Sequence, residues 1–316
     1  MKTEMRLDLF IAQKHPEVSR ARVQALIESG HIRVNGRQVK TSYKYHGDER
    51  IDIDIPEPKA SHLTAEDMPL DVLYEDRDIV VINKPAGLVV HPGAGHREGT
   101  LVNALLHHFP DMHVGDTERP GLVHRLDKET SGVMVCARND RAFQALVRSF
   151  KAREVEKSYR AFCVGIFKDE TFELKTGHNR HPKDRKRFTT KISHFQKGGL
   201  REISDLRLAH SQFTVLLSSG GITELQVNLL TGRTHQIRAH LADIGRPLVH
   251  DTLYGGTRAL EYLKATPVRA SAMLLERHAL HAERLAFIHP TNGQPVVFTA
   301  PLPEDLLQLH HALAAC

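Results

Sequence analysis

The stretch Gly121-Leu-Val-His-Arg-Leu-Asp-Lys-Glu-Thr-Ser-Gly132 constrains this chain most. It crowds His124, Arg125, Asp127 and Lys128 into five residues, then turns into Val133-Met-Val-Cys-Ala137. A short apolar run of that kind reads as a buried strand. One carboxylate is therefore delivered to the mouth of a strand among three basic or titratable groups. Such surroundings keep an aspartate ionised and fix its aim. The plainer reading of any single residue here is a cap or a structural ion pair, because those perturb carboxylates too.

At 316 residues the chain has room for one large domain and a small one. No stretch approaches membrane-spanning length and no signal-like apolar core follows the start, so a cytoplasmic protein without a membrane partner is expected. Cys136, Cys163 and Cys316 form neither a metal-type spacing nor an even disulfide framework. The 22 histidines include no His-Glu-x-x-His or Cys-His ligand pattern, so no metal is expected. The net charge of +5 is unevenly spread. Residues 151–201 hold 14 Lys and Arg against 6 Asp and Glu, which leaves the rest of the chain at −3. A concentrated basic excess favours a polyanionic partner.

The first ~58 residues read as a small α/β module. Leu7, Leu9, Phe10 and Ile11, then Val23, Leu26 and Ile27, supply the apolar faces of two short helices. Ser19 suits the cap of the second and Gly30 its stop. Asn35-Gly36 between Ile32-Arg-Val34 and Arg37-Gln-Val39 signals a hairpin. Ile51-Asp-Ile-Asp-Ile55 alternates as a half-exposed strand does. Residues 59–69, proline-bearing and poor in large apolar groups, read as a linker, and residues 70–316 as the main domain. There Asp78 to Asn83 is a strand and Lys84 to Gly95 a glycine-punctuated loop. No Gly-Lys-Ser/Thr follows and no helix opens on the glycines, so neither a phosphate cradle nor a nucleotide cofactor is expected. Thr100 to Phe109 and Asp140 to Lys151 have helical spacing; Lys157 to Val164, Phe213 to Leu217, Thr223 to Leu230 and Leu280 to Ile288 read as strands. His178 to Arg187 reads as a basic loop, and a helix starts near Thr234. Helices and strands intermix without a βαβ repeat, which predicts α+β with a mixed, mostly antiparallel central sheet flanked by helices and loops.

His-Arg-Leu-Asp-x-x-Thr-Ser-Gly resembles the signature of the RluA-type pseudouridine synthases. Two further segments are similar to the same family's blocks. One runs from Asp71 through Asn83-Lys-Pro-Ala-Gly87 to His91-Pro-Gly; the other from Leu230-Thr-Gly-Arg-Thr-His-Gln-Ile-Arg-Ala-His240 to Asp251-x-x-Tyr-Gly255. With Lys157-Ser-Tyr159 the likeness spans nearly the whole chain in the family's order. The helix, helix, hairpin, strand order of the first module, with Ser19-Arg20 and Val34-Asn35-Gly36, resembles an S-four-type RNA-binding domain. The run Pro85 to Leu106 resembles the RluD branch, which modifies large-subunit ribosomal RNA.

The resemblance implies the pseudouridine synthase fold and a site-specific isomerase that works as a monomer on ribosomal RNA or its precursor particle, with no cofactor. It implies Asp127 as the catalytic carboxylate, Arg238 as its salt-bridge partner and Tyr159 against the uracil. Arg125, beside His124, would take the displaced base's place in the RNA stack; a flat guanidinium suits that role. Arg180, Lys183, Arg185, Lys186 and Arg187 are the expected backbone contacts, and Arg20, Arg22, Arg33 and Arg37 those of the first module. Each residue alone also has a structural reading: Tyr159 as core and Arg238 as a surface arginine above a buried stripe of Ile237, Leu241 and Ile244. A non-catalytic RNA-binding or ribosome-assembly protein on the same scaffold is the alternative.

Overall fold

The computed structural model describes residues 5–15, 18, 20–55, 63–92, 98–112, 114, 120–190 and 207–315. Ser19, Cys316, the first part of the expected linker and the glycines at 93 and 95 lie outside them. The first elements are β1 (Met5–Arg6), α1 (Leu7–Lys14), α2 (Arg20–Glu28), β2 (Ile32–Val34), β3 (Arg37–Gln38), β4 (Lys44–Tyr45) and β5 (Ile51–Ile53). The two apolar helix faces meet: Leu7, Ile11, Val23 and Ile27 form one small core with Ile32 and Val34. Asn35 (φ 49°) and Gly36 (φ 72°) both adopt the left-handed conformation that a two-residue hairpin turn needs. β2 is the middle strand between β3 and β5. β5 ends at Ile53 and not at Ile55, because Ile53 pairs with Ile32, where β2 begins.

The remaining elements are β6 (Val72–Glu75), β7 (Ile79–Lys84), α3 (Leu101–His108), β8 (Ser131–Ala137), α4 (Asp140–Ala152), β9 (Glu156–Val164), β10 (Thr171–Arg180), β11 (Phe188–Thr189), β12 (Arg207–Ser219), β13 (Ile222–Leu229), α5 (Gln236–Asp243), α6 (Gly256–Glu261), α7 (Pro267–Met273), β14 (Leu280–Ile288), β15 (Pro295–Thr299) and α8 (Glu304–Ala314). Among the described residues ten strands form one sheet in the order β11-β10-β12-β13-β9-β14-β8-β7-β6, with β15 added to β14. Every pairing is antiparallel except β14 with β8. The expected mixed, mostly antiparallel sheet is therefore the observed one.

All seven residues of β8 are buried, as its apolar run predicts. Met134 and Cys136 pack with Leu101 and Leu105 of α3 on one face. Val133 and Val135 pack with Ala142 and Leu146 of α4 on the other. Gly132 (φ 117°) lies at the parallel junction, where a Cβ would stand 2.1 Å from the Ala282 carbonyl oxygen. The glycine of the motif is thus required by the close approach of β14, and it anchors the end of the loop that carries Asp127.

Two readings need correction. His178 to Arg180 belong to β10, because His178 pairs with β12 and Asn179 and Arg180 pair with β11; the loop is confined to residues 181–187. β12 spans 13 residues rather than five, since polar outward residues hid a strand paired on both sides. Residues 64–68 hydrogen-bond along α3: Asn103 donates to the Thr64 carbonyl at 2.7 Å and the Glu66 N–H donates to that of Asn103 at 3.0 Å. Among the described residues no helix is long and apolar enough to cross a membrane.

Candidate active site

The loop before β8 is held from below by a buried lysine. Lys84, fully buried at the end of β7, donates through Nζ to the carbonyls of Pro85, Leu88 and Lys128 at 2.7, 3.0 and 3.0 Å. Burial pushes its pKa down to about 7. The Gly87 N–H also donates to the Lys128 carbonyl, and the Thr130 N–H closes the turn onto that of Asp127. Thr130 and Ser131 are fixed by buried histidines: His278 Nε2 lies 2.8 Å from Thr130 Oγ1, and His281 Nδ1 2.9 Å from Ser131 Oγ. Asp127 therefore projects from a loop clamped on three sides.

Arg238 reaches Asp127 from α5. Its Nη1 donates to Asp127 Oδ2 at 3.0 Å, while Nε and Nη2 donate to the two oxygens of Asp251 at 2.7 and 3.0 Å. The expected pair is present, and Arg238 is buried, not on the surface. Ile237 and Leu241 are buried beside it, but Ile244 is exposed, so the expected stripe ends one turn early. Burial acts to raise the Asp127 pKa; the charges of His235 and Arg238 and the Arg238 hydrogen bond outweigh it and hold the carboxyl below its ordinary 3.8. Oδ1 accepts no hydrogen bond from the described residues and is left for a ligand.

Sequence reasoning missed Asp251, His235, Tyr254 and Gln236. Asp251, buried at 1% exposure, makes the bidentate contact that aims Arg238. Gln236 pins the preceding loop by accepting from Thr231 Oγ1 and the Arg233 N–H and donating to Ser211 Oγ. That loop delivers His235 in a left-handed conformation (φ 56°) with Nε2 3.8 Å from Asp127. Tyr254 lies under the Arg238 guanidinium, 5.1 Å from its ring centre, with its hydroxyl 3.1 Å from His235 Nδ1. The Asp-x-x-Tyr spacing carries this signal, because the Tyr254 N–H donates to Asp251 Oδ1.

A cavity of about 470 Å³ opens above Asp127. Tyr159 lines it from β9, nearly buried in the main core, and burial, then the Asp127 charge, raise its pKa, so the phenol stays protonated. Leu229 and His235 form another wall. Arg125 is exposed at the mouth. His124 also lines it, but its ring stacks on Phe150 and Nε2 accepts from the Val135 N–H at 3.1 Å, with a pKa lowered by burial to about 3. It is a neutral part of the wall. Lys151, Arg153, Lys157 and Arg233 add cations, so one carboxylate sits in a strongly basic cavity.

No residue of the basic loop lines this cavity. Lys183, Arg185 and Lys186 are exposed, whereas Arg180 donates to the Arg185 carbonyl at 2.6 Å and Arg187 stacks on Tyr254 at 5.1 Å. In the first module Arg20 is tied to buried Asp8 at 2.9 Å and Arg22 is half-buried, while Arg33 and Arg37 are exposed.

The model of the RNA pseudouridylate synthase family matches residues 78–243, and that of the S4 domain matches residues 5–51. The chain is 42% identical over 311 residues to an uncharacterised RNA pseudouridine synthase of Aquifex aeolicus (strain VF5), covering 97% of this chain and 93% of that one. It is 41% identical over 309 residues to the ribosomal large subunit pseudouridine synthase D of Xanthomonas campestris pv. campestris, covering 98% and 88%. Among solved structures, human RNA pseudouridylate synthase domain containing 4 superposes with a TM-score of 0.61 at 26% identity, over 77% of this chain and 93% of that one. The fold, the clamped aspartate and these likenesses agree: the chain belongs to the RNA pseudouridylate synthase family and is an RNA pseudouridine synthase that carries an S4 domain.

Proposed function

We infer that the chain isomerises uridine to pseudouridine at specific positions of large-subunit ribosomal RNA, with Asp127 as the catalytic carboxylate. The observation that carries the chemical assignment is the Asp127 carboxylate, ionised by Arg238 and facing a basic cavity with one oxygen unengaged. The reaction breaks the N1–C1′ bond, turns the detached uracil and joins C5 to C1′; C5 loses its proton and N1 gains one, so the product is an isomer of uridine. Asp127 acts next to C1′, as nucleophile or as base at C2′. Tyr159, held protonated, offers a donor beside the base, and the enclosed walls exclude the water that would hydrolyse the sugar. Arg125 at the mouth occupies the stack that the uridine leaves.

The ribosomal substrate is supported by 41% identity to a ribosomal large subunit pseudouridine synthase over nearly the full chain. Exposed Lys183, Arg185, Lys186, Arg33 and Arg37 are positioned for phosphates, and residues 1–58 are assigned affinity while residues 70–316 hold the chemistry. Pseudouridine mapping of ribosomal RNA from cells lacking the protein, and after restoring it, tests the substrate. Specific large-subunit positions should lose and regain the modification. An unchanged map in that RNA excludes it as substrate. A chain beginning at Leu63, which keeps the contacts of Thr64 and Glu66 with Asn103, should still convert uridine at high RNA concentration, with a shallower salt dependence. No turnover at saturating RNA would place the first module inside the active site.

A further inference from the structure

We propose that the active-site cleft continues into a second groove, on the opposite face of the sheet, which holds a single-stranded nucleotide flanking the target uridine. The groove has a volume of about 580 Å³ and shares Arg153, Lys157, Leu229 and Leu230 with the catalytic cavity. That volume lies within the range of pockets that enclose small ligands, about 300–1,000 Å³. The inference rests on the family's RNA isomerase activity and not on which RNA is the substrate.

Strand register builds the groove. Tyr159 and Val227 face the main core, so their neighbours Ser158, Gln226 and Asn228 fall on the other face. Asn228 pairs with Ser158 across β13 and β9, and Arg284 of β14 lies across from Ser158. A polar row thus crosses three strands at the end of the sheet nearest Asp127. A solvated sheet face would also be polar. It would not bury a hydroxyl without a partner, yet Ser158 is 5% exposed and its Oγ has none. The Gln226 and Asn228 amides likewise make no hydrogen bond with the described residues. Amides carry both donor and acceptor, as a base edge does.

The charges are arranged for a nucleotide. Inside the groove Arg284 is neutralised by Glu156 at 2.9 Å and His210 is paired with Glu173 at 2.9 Å. The cations without an acidic partner among the described residues, Arg153 and Lys157, stand on the ridge between the two cavities. Arg153 is exposed there because it ends α4 in a left-handed conformation (φ 65°). Neutral amides inside and cations on the ridge suit a base in the groove and its phosphate on the ridge.

The test uses the full chain and whichever transcript the wild type converts, large-subunit ribosomal RNA or pooled transfer RNA. Conversion of the transfer RNA alone would sink the ribosomal assignment and leave this groove open to the same measurement. Asn228→Asp combined with Gln226→Glu keeps the side-chain shapes and replaces donors by charged acceptors. The double variant should weaken RNA binding about tenfold, leave the rate at saturating RNA within about twofold and leave the thermal midpoint unchanged. Gln308→Glu, an exposed change on α8 that costs only its hydrogen bond to Glu304, should leave RNA binding unchanged. RNA trimmed of the nucleotides beside the target should bind wild type and variant alike. Undiminished binding by the variant, an equal loss on trimmed RNA, or a fall in rate together with the thermal midpoint would overturn the groove.

Discussion

Asp251 grips Arg238 with both carboxylate oxygens, at 2.7 and 3.0 Å, and leaves the remaining guanidinium nitrogen to Asp127 at 3.0 Å. The aim of the proposed catalytic carboxylate is therefore set by a second aspartate that does not touch the cavity. Asp251→Asn should lower the single-turnover rate at least tenfold with RNA affinity nearly unchanged. It should also cost on the order of 3 kcal/mol of stability, as breaking one side of a buried ion pair does. A variant with full rate and full stability would remove Asp251 from this account.

The same geometry predicts a shift with pH. Arg238 opposes the upward push of burial on Asp127, so in the wild type the acid limb of the rate lies below 3.8, the ordinary carboxylate value. In Arg238→Gln burial acts with less opposition, and the limb should move upward. Activity, reduced overall, should then recover as pH is raised. Single-turnover rates of both proteins from about pH 3 to 8 measure this; a limb that does not move means that Arg238 does not help set the ionisation of Asp127.

Tyr159→Phe keeps the ring and deletes the hydroxyl. It should slow turnover at least tenfold while RNA affinity stays within about threefold, because the phenol is assigned to the chemistry and the ring to the wall. Equal losses of affinity and rate in parallel binding and single-turnover assays would make Tyr159 a packing residue.

Stability should fall in acid through the buried histidines. His278 is neutral in the fold, its pKa lowered to about 4 by burial, against 6.5 ordinarily. Between those values the unfolded chain binds a proton that the folded chain does not, so stability is full above 6.5 and falls as pH drops toward 4. His278→Gln should flatten that decline by up to about 1.4 kcal/mol per pH unit. Urea melts at several pH values from 4 to 7 give the slope; an unaltered slope means that His278 is not neutral in the fold.

Much of the site could be read from the sequence where one local pattern had one physical meaning. The apolar run Val133 to Ala137 could only be a buried strand, and the Asn35-Gly36 turn could only join close antiparallel strands. Asp127 and Arg238, 111 positions apart, were paired through the family likeness, and the structure brings them to 3.0 Å. Gln236 stayed hidden because its meaning is entirely tertiary, and the Asp251-x-x-Tyr254 spacing marks a local turn but not the grip on Arg238. The same holds for β10. Its exposed and half-buried residues alternate from Thr171 to Thr176, and the basic residues that follow drew attention to charge instead of strand pairing.

The central claim is that Asp127 does the chemistry and that nothing else on its loop can replace it. Asp127→Asn keeps the shape and removes the charge. In a single-turnover assay on transcribed large-subunit ribosomal RNA, or on the RNA that the wild type converts, the variant should bind within about threefold of wild type. It should form pseudouridine at least about 1,000-fold more slowly, a barrier increase of ~4 kcal/mol. A rate within about tenfold of wild type, ~1.4 kcal/mol, would contradict the assignment.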